Sequence, residues 1–190
     1  MKKVIEIVAY NNGWPELFLQ AAAGLRTIPA NLLQSIHHIG STSVTGLAAK
    51  DVIDIQVTVP SFSAEIEHRL TALGYARLTN INSDHRPPGR QDLSDAELCK
   101  WFFQGTDPNV NLHVRKEGAF NQRYPLLCRD FLRANSDAAK AYELIKINLA
   151  ARFPNDLEAY YDIKDPVFDL LMAGAELWAA QTGWQLPPSD

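Results

Sequence analysis

The sequence predicts an α+β fold, a mixed β-sheet with flanking helices and a helical C-terminal half packed alongside it. Two observations lead there. Strand-like and helix-like signals alternate up to about residue 116, whereas from Asn121 onward most segments carry a helical period. No repeat and no Gly/Ser-rich linker separates the halves, so the 190 residues read as one domain, with a sheet region of about 1–116 and a helical region of about 121–181.

Each element has a local reason. Val4 to Val8 reads as a strand, and Trp14-Pro15-Glu16-Leu17-Phe18 opens a helix to about Leu25 with Pro in its first turn. Leu32 to Ile39 is a second strand, ended by Gly40-Ser41, and Ser41 to Lys50 has the length of a short helix. Val52 to Val59 alternates, with Ile53, Ile55 and Val57 on one face and Asp54 and Gln56 on the other, as in a half-buried strand. Ser63 can cap a helix whose first turn holds Glu65 and Glu67, Gly74 ends it, and Tyr75 to Thr79 reads as a further strand. Asn80 to Glu97 is polar, contains Pro87-Pro88-Gly89 and has no apolar period, which predicts a mobile surface loop beside the site. Lys100 to Gln104 and Val110 to Arg115 flank a turn of Gly, Thr, Asp, Pro and Asn, a hairpin pattern that puts Asn111, His113 and Arg115 on one face. Tyr124 to Leu132 is helical, Ser136 can cap the next helix, and Asp165-Pro166 marks the start of the last, to about Ala180. Leu186 to Asp190 reads as a frayed tail.

Composition excludes several classes of function. A formal net charge of −4 gives no electrostatic footprint for duplex nucleic acid. No apolar run approaches the roughly 20 residues that cross a bilayer, and the first residues lack the apolar core of a secretion signal. Cys99 and Cys128 have neither metal nor redox spacing and read as buried free thiols, which predicts a cytoplasmic protein. Nothing in the pattern sets an oligomeric state.

Chemistry concentrates around Gly40-Ser41 and the strand that follows. Gly40 permits a tight turn, and the backbone N–H groups after it, with the Ser41 hydroxyl, make a cradle for phosphate. Asp54 can hold Mg²⁺ against that phosphate, and Gln56 points to the same side. Asp51 alternates to the opposite face. His113, on the polar face of the hairpin strand, can accept a proton or bond a phosphate. Adjacent His37 and His38 point oppositely, so at most one faces the site. Among the basic residues Lys50, Arg115, Lys116, Arg129, Arg133, Lys146 and Lys164, which suit phosphate oxygens jointly, Lys50 is preferred because it closes the Gly-Ser segment. Trp14, Trp101, Phe102 and Phe103 read as core.

The Gly-Ser turn before an Asp-bearing strand is similar to the layout of the nucleotidyltransferase fold, in which Gly-Ser precedes an Asp-x-Asp/Glu strand; here Gln56 holds the second carboxylate position. The phrases YNNGWPELF, HHIGSTSVTGLAAKDVIDIQV, FFQGTDPNVNLHV, LLCRDFLRANSDAAKAYELIKINLAARFPND and AYYDIKDPVFDLL resemble the GrpB family over about Ile5 to Leu171. Members of that family resemble minimal nucleotidyltransferases, and some are fused to dephospho-CoA kinase. Thr45 and Asp51 stand where Pro is usual in it, and Asn111 where the first His of a His-x-His pair is usual. The resemblance implies a protein that binds a nucleoside triphosphate with Mg²⁺ and transfers a nucleotidyl group to a small acceptor. In that reading Gly40, Ser41, Lys50, Gln56 and Arg129 bind substrate, Asp54 and His113 serve catalysis, and Asp54 binds the metal. The alternative is a non-catalytic module for a nucleotide or a CoA-like phosphate ligand, which the Gln56 substitution and the kinase fusions favour.

Overall fold

The computed structural model describes residues 4–190. Five strands form one mixed sheet: β1 (Ser35–Ile39), β2 (Ile53–Val59), β3 (Ala76–Arg77), β4 (Lys100–Thr106) and β5 (Asn109–Lys116), in the order β1-β2-β5-β4-β3. The central β2–β5 pair is parallel and the others are antiparallel. Helices α1 (Trp14–Leu25) and α2 (Ala64–Ala72) accompany the sheet, α3 (Asp95–Leu98) is one turn, and α4 (Phe120–Ala134), α5 (Ser136–Arg152) and α6 (Leu157–Thr182) form the helical half.

Strand alternation divides the sheet's two faces as the sequence predicts. Ile53, Ile55 and Val57 of β2 join Val110, Leu112 and Val114 of β5 in a core with Trp14, Phe18 and Leu25 of α1 and Ile66 and Leu70 of α2. The opposite face carries Asp54 and Gln56 beside Asn111 and His113, in register. Here the expected half-solvated strand is corrected, because α4 covers part of that face and Gln56 is fully buried. A second core fills the space among the helices, with Leu127, Leu132, Tyr142, Met172 and Ala175, and takes in Val44 and Leu47 from the segment after the Gly-Ser turn.

Several boundaries differ from expectation, each for a physical reason. Val4 to Val8 forms no strand; it is tied down at separate points, by Ile5 N–H to the Pro154 carbonyl (2.8 Å) and by an isolated bridge between Val8 and Ala49. Ser41 to Lys50 is a single 3-10 turn, Ser41–Ser43, and not a helix, because β-branched Thr42, Val44 and Thr45 propagate helix poorly and Gly46 adopts φ 82°. Strand β1 begins at Ser35, not Leu32, since Leu32 N–H turns back to the Pro29 carbonyl. Asn135, not Ser136, is the N-cap of α5. The last helix starts nine residues before Pro166, with the Asp156 carboxylate accepting from Ala159 N–H, and runs through the proline. The polar segment 80–97 carries α3, closed by a Ser94–Glu97 capping box, and buries Leu93. The expected frayed tail instead docks on β1: Asp190 N–H donates to the Ile36 carbonyl (3.0 Å), and its carboxylate accepts from His38 N–H (2.8 Å).

Candidate functional site

Where the Gly-Ser turn meets the polar face of the sheet and helices α4–α6, a cavity of about 620 Å³ opens. It gathers Gly40, Ser41, Lys50, Asp54, His113 and Arg129, six of the seven residues singled out from the sequence. Gln56 is the exception. It lies beneath the cavity with both ends of its amide engaged, Nε2 donating to the Gln122 carbonyl (2.9 Å) and Oε1 accepting from Arg115 (2.9 Å). Its part is to position Arg115, not to line a substrate site. Asp51 also stays away, accepting from Trp14 Nε1 at 2.7 Å. Neither His37 nor His38 lines the cavity; His38 stacks on Phe18 and meets Thr42 Oγ1 at 3.0 Å. A smaller hollow of about 330 Å³, beside Tyr75 and Asp107, is remote from these residues.

Gly40 is required by close approach. Its φ of 71° is left-handed, and a Cβ there would lie 2.5 Å from Asp54 Oδ2. The turn and the β2 carboxylate therefore touch. Among the described residues neither the Ser41 nor the Thr42 backbone N–H donates to a protein acceptor, while those of Ser43 and Val44 close the 3-10 turn. Asp54 Oδ1 accepts from Asn111 Nδ2 (3.1 Å) and faces His113 Nε2 at 3.5 Å. On the far side of that ring the Arg115 guanidinium lies 3.4 Å from Nδ1. Because an arginine only donates, Nδ1 is the acceptor and the ring proton sits on Nε2, pointed at Asp54. Burial keeps His113 neutral by pushing its pKa below the ordinary histidine value, more than Asp54 raises it. Burial also works against ionising Asp54, but the His113 and Asn111 contacts, with Lys50 nearby, hold it below the usual carboxylate value.

Asp84, from the polar 80–97 segment, anchors the back of the site. Its carboxylate accepts from Lys100 Nζ (2.6 Å), Arg115 Nε (2.8 Å) and Asn121 Nδ2 (2.9 Å). Burial opposes its charge, yet the Arg115 and Lys100 cations hold it far below the carboxylate range. Arg129 is likewise engaged, by Asp130 (2.8 Å), the His38 carbonyl (3.1 Å) and Asp190 (2.9 Å), so it braces the wall it lines. Free cationic capacity lies elsewhere. Lys50 Nζ donates to Tyr161 Oη (2.6 Å) and Lys146 Nζ to Ser41 Oγ (2.8 Å) while lying over Tyr142 (4.8 Å), whereas Lys164, over the Phe168 ring (4.4 Å), is paired with Asp165 (3.2 Å). Asp84, Asn121, Tyr142, Tyr160 and Tyr161 escaped the sequence reading. A signal for one of them was present: Tyr142 and Lys146 stand four residues apart, which stacks ring and ammonium on one helix face.

Among the described residues no group of three His, Cys, Asp or Glu side chains could hold a metal ion. Asp54 is the one carboxylate against the Gly-Ser turn, and two N–H groups already point at its Oδ1. That donor set does not fit a resident divalent ion, which takes several oxygen ligands. Cys128 is a buried thiol whose pKa burial raises to about 12, whereas Cys99, at the end of α3, is only half-buried, against the expectation of two buried thiols.

A mixed five-stranded sheet whose Gly-Ser turn opens onto an Asp-bearing central strand, with a helical half beside it, defines an α+β fold. Within that class the chain belongs to the GrpB family: the family model described as "GrpB protein" matches residues 4–173. It is 33% identical over 196 residues to a "Dephospho-CoA kinase" of Mycolicibacterium paratuberculosis, covering 95% of this chain and 48% of that protein. The "UPF0157 protein YqkA" of Bacillus subtilis is 30% identical over 180 residues, covering 93% of this chain and 49% of that protein. The chain thus spans about half the length of these relatives. A crystal structure of "conserved protein GrpB" from Enterococcus faecalis superposes with a TM-score of 0.70 at 23% identity, covering 91% of this chain and 99% of that one. No helix among the described residues is long and apolar enough to cross a membrane.

Proposed function

We propose that this protein binds a nucleoside polyphosphate in the cavity between the sheet and the helical half. One observation carries the reading: Lys50, Lys146 and Lys164 converge with the free Ser41 and Thr42 amides in a chamber walled by aromatic side chains. Anionic oxygens suit the amides and ammonium groups, while Phe102, Phe120, Tyr124 and Phe168 offer flat apolar surface to a base. A magnesium ion carried by the nucleotide would find one protein carboxylate, Asp54, to hold it. Binding is thus the primary activity.

Nucleotidyl transfer is the second reading, favoured by the ionised Asp54 in contact with the turn. A CoA-type phosphate is the other ligand to compare, since relatives that carry the dephospho-CoA kinase name align with this chain over about half their length. A thermal-shift screen of ATP, GTP, UTP, CoA and dephospho-CoA, with EDTA and with Mg²⁺, tests the two binding readings, and pyrophosphate release from the triphosphates tests transfer. A ligand at about 100 times its Kd stabilises by about 2.7 kcal/mol, so a nucleoside triphosphate should raise Tm in EDTA. Stabilisation by CoA species alone would move the ligand class. If no phosphate ligand shifts Tm, the reading falls.

A further inference from the structure

Lys146 is the least ordinary side chain of the cavity. It stands on α5, is 2% exposed, and its Nζ has two neutral partners, Ser41 Oγ and the Ala48 carbonyl. Among the described residues the lysine ion pairs are Lys100–Asp84 and Lys164–Asp165, so neither Lys146 nor Lys50 has a carboxylate partner. The groups around Lys146 are Tyr142 and Glu143 from α5, Lys50 from the segment before β2, Asp54 from β2, and Lys164 with Asp165 from α6. Glu143 is committed to the Ala48 N–H at 2.7 Å. A buried amine with two lysines nearby holds its charge poorly: burial first, and then Lys164 and Lys50, outweigh Glu143 and bring its pKa down to about 7.

We propose that Lys146 takes up a proton when the phosphates of a bound nucleotide enter the Gly40–Ser41 turn, which makes it a cation recruited by the ligand. This rests on the nucleotide reading above. In the free protein the amine is held at the turn by Ser41 Oγ, where a further ammonium would face Lys50 and Lys164. A polyanion at the same place reverses the balance, supplying counter-charge directly at Nζ, with which no carboxylate of the described residues pairs. The proton comes from solvent and settles on Nζ; no other bond changes. Polyphosphate affinity therefore depends on pH with a definite sign. The bound state has the higher lysine pKa, so binding is strongest below the free-state value and weakens above it, by up to about tenfold per pH unit.

Isothermal titration of the whole chain with ATP in EDTA at pH 8, in Tris and in HEPES, tests this directly. The two buffers differ in heat of ionisation, so the difference in observed heat counts protons taken up. Burial brings the free-state pKa down to about 7, so most of Lys146 is neutral at pH 8 and ATP binding should take up a measurable fraction of a proton. Lys146→Arg, which stays charged, should keep ATP binding and lose that uptake. Lys146→Met should bind about tenfold more weakly, also without uptake. ATP binding with equal heats in both buffers overturns the proposal and leaves the nucleotide reading intact, and that measurement on the unsubstituted protein needs no variant to fold. Uptake undiminished in Lys146→Arg overturns it too. Failure of ATP to bind in either buffer removes both.

Discussion

Replacing Asp84 with Asn leaves the shape of the side chain and removes its charge. Three groups then lose an anionic acceptor: Lys100 at 2.6 Å, Arg115 at 2.8 and 3.0 Å, and Asn121 at 2.9 Å. The side chains of Lys100 and Arg115 are 11% and 4% exposed, so two buried cations would be left facing each other. Breaking such a pair costs about 3–5 kcal/mol. Asp84 itself is 20% exposed, and water can partly compensate, which places the cost near the lower bound, about 3 kcal/mol. For a chain of this size that is a fall in Tm of about 6–12 °C. The sign with pH is fixed. Asp84 is held below its unfolded value, so its contribution is complete above the unfolded pKa of about 3.9 and is lost as pH falls toward its folded value. Thermal denaturation followed by circular dichroism should therefore show the widest gap between parent and Asp84→Asn at neutral pH, narrowing below about pH 4. Asp92→Asn, on the exposed Arg90 pair of the same segment, should leave Tm unchanged. A drop of less than about 2 °C for Asp84→Asn, or a gap that ignores pH, would refute the reasoning.

Gln56→Glu should destabilise by about 1–3 kcal/mol in urea denaturation, because a carboxylate would face the Gln122 carbonyl that now accepts from Nε2. It should also add no Mg²⁺ affinity in titration, since position 56 does not reach the cavity. Gly40→Ala should weaken ATP binding at least tenfold by titration and cost about 1–3 kcal/mol of stability, because its Cβ would collide with Asp54 at a left-handed φ. Asp190→Ala should cost about 1–3 kcal/mol by chemical denaturation, through the lost acceptor for Arg129 and the His38 amide.

The sheet was legible because alternation is a property of the strand itself. Asp54, Asn111 and His113 fall on one face of β2 and β5 once the period of two is seen, and pairing in the folded sheet needs only the register that brings Asp54 beside Asn111. What covers that face was not legible. Gln56 and Asp54 have the same periodicity, yet one is sealed under α4 and the other faces the cavity, a difference set by contacts between distant segments. Asp84 sits in a stretch whose composition suggests only a mobile loop; its role comes from cations 16 and 31 residues away. The run of α6 through Pro166 shows tertiary packing overriding a local breaker, as Tyr160, Met172 and Ala175 bury on either side of it. Similarly, the 186–190 segment looks frayed by composition because its partners, Ile36, His38 and Arg129, lie on other elements.

A crystal structure with a non-hydrolysable ATP analogue tests the central claim most directly. The account predicts the phosphates at the Ser41 and Thr42 amides, within hydrogen-bonding reach of Lys50 and Lys146, and the base against the aromatic wall of the same cavity. Phosphate density in the hollow beside Tyr75 and Asp107, or an empty Gly40–Ser41 turn at saturating nucleotide, would contradict it.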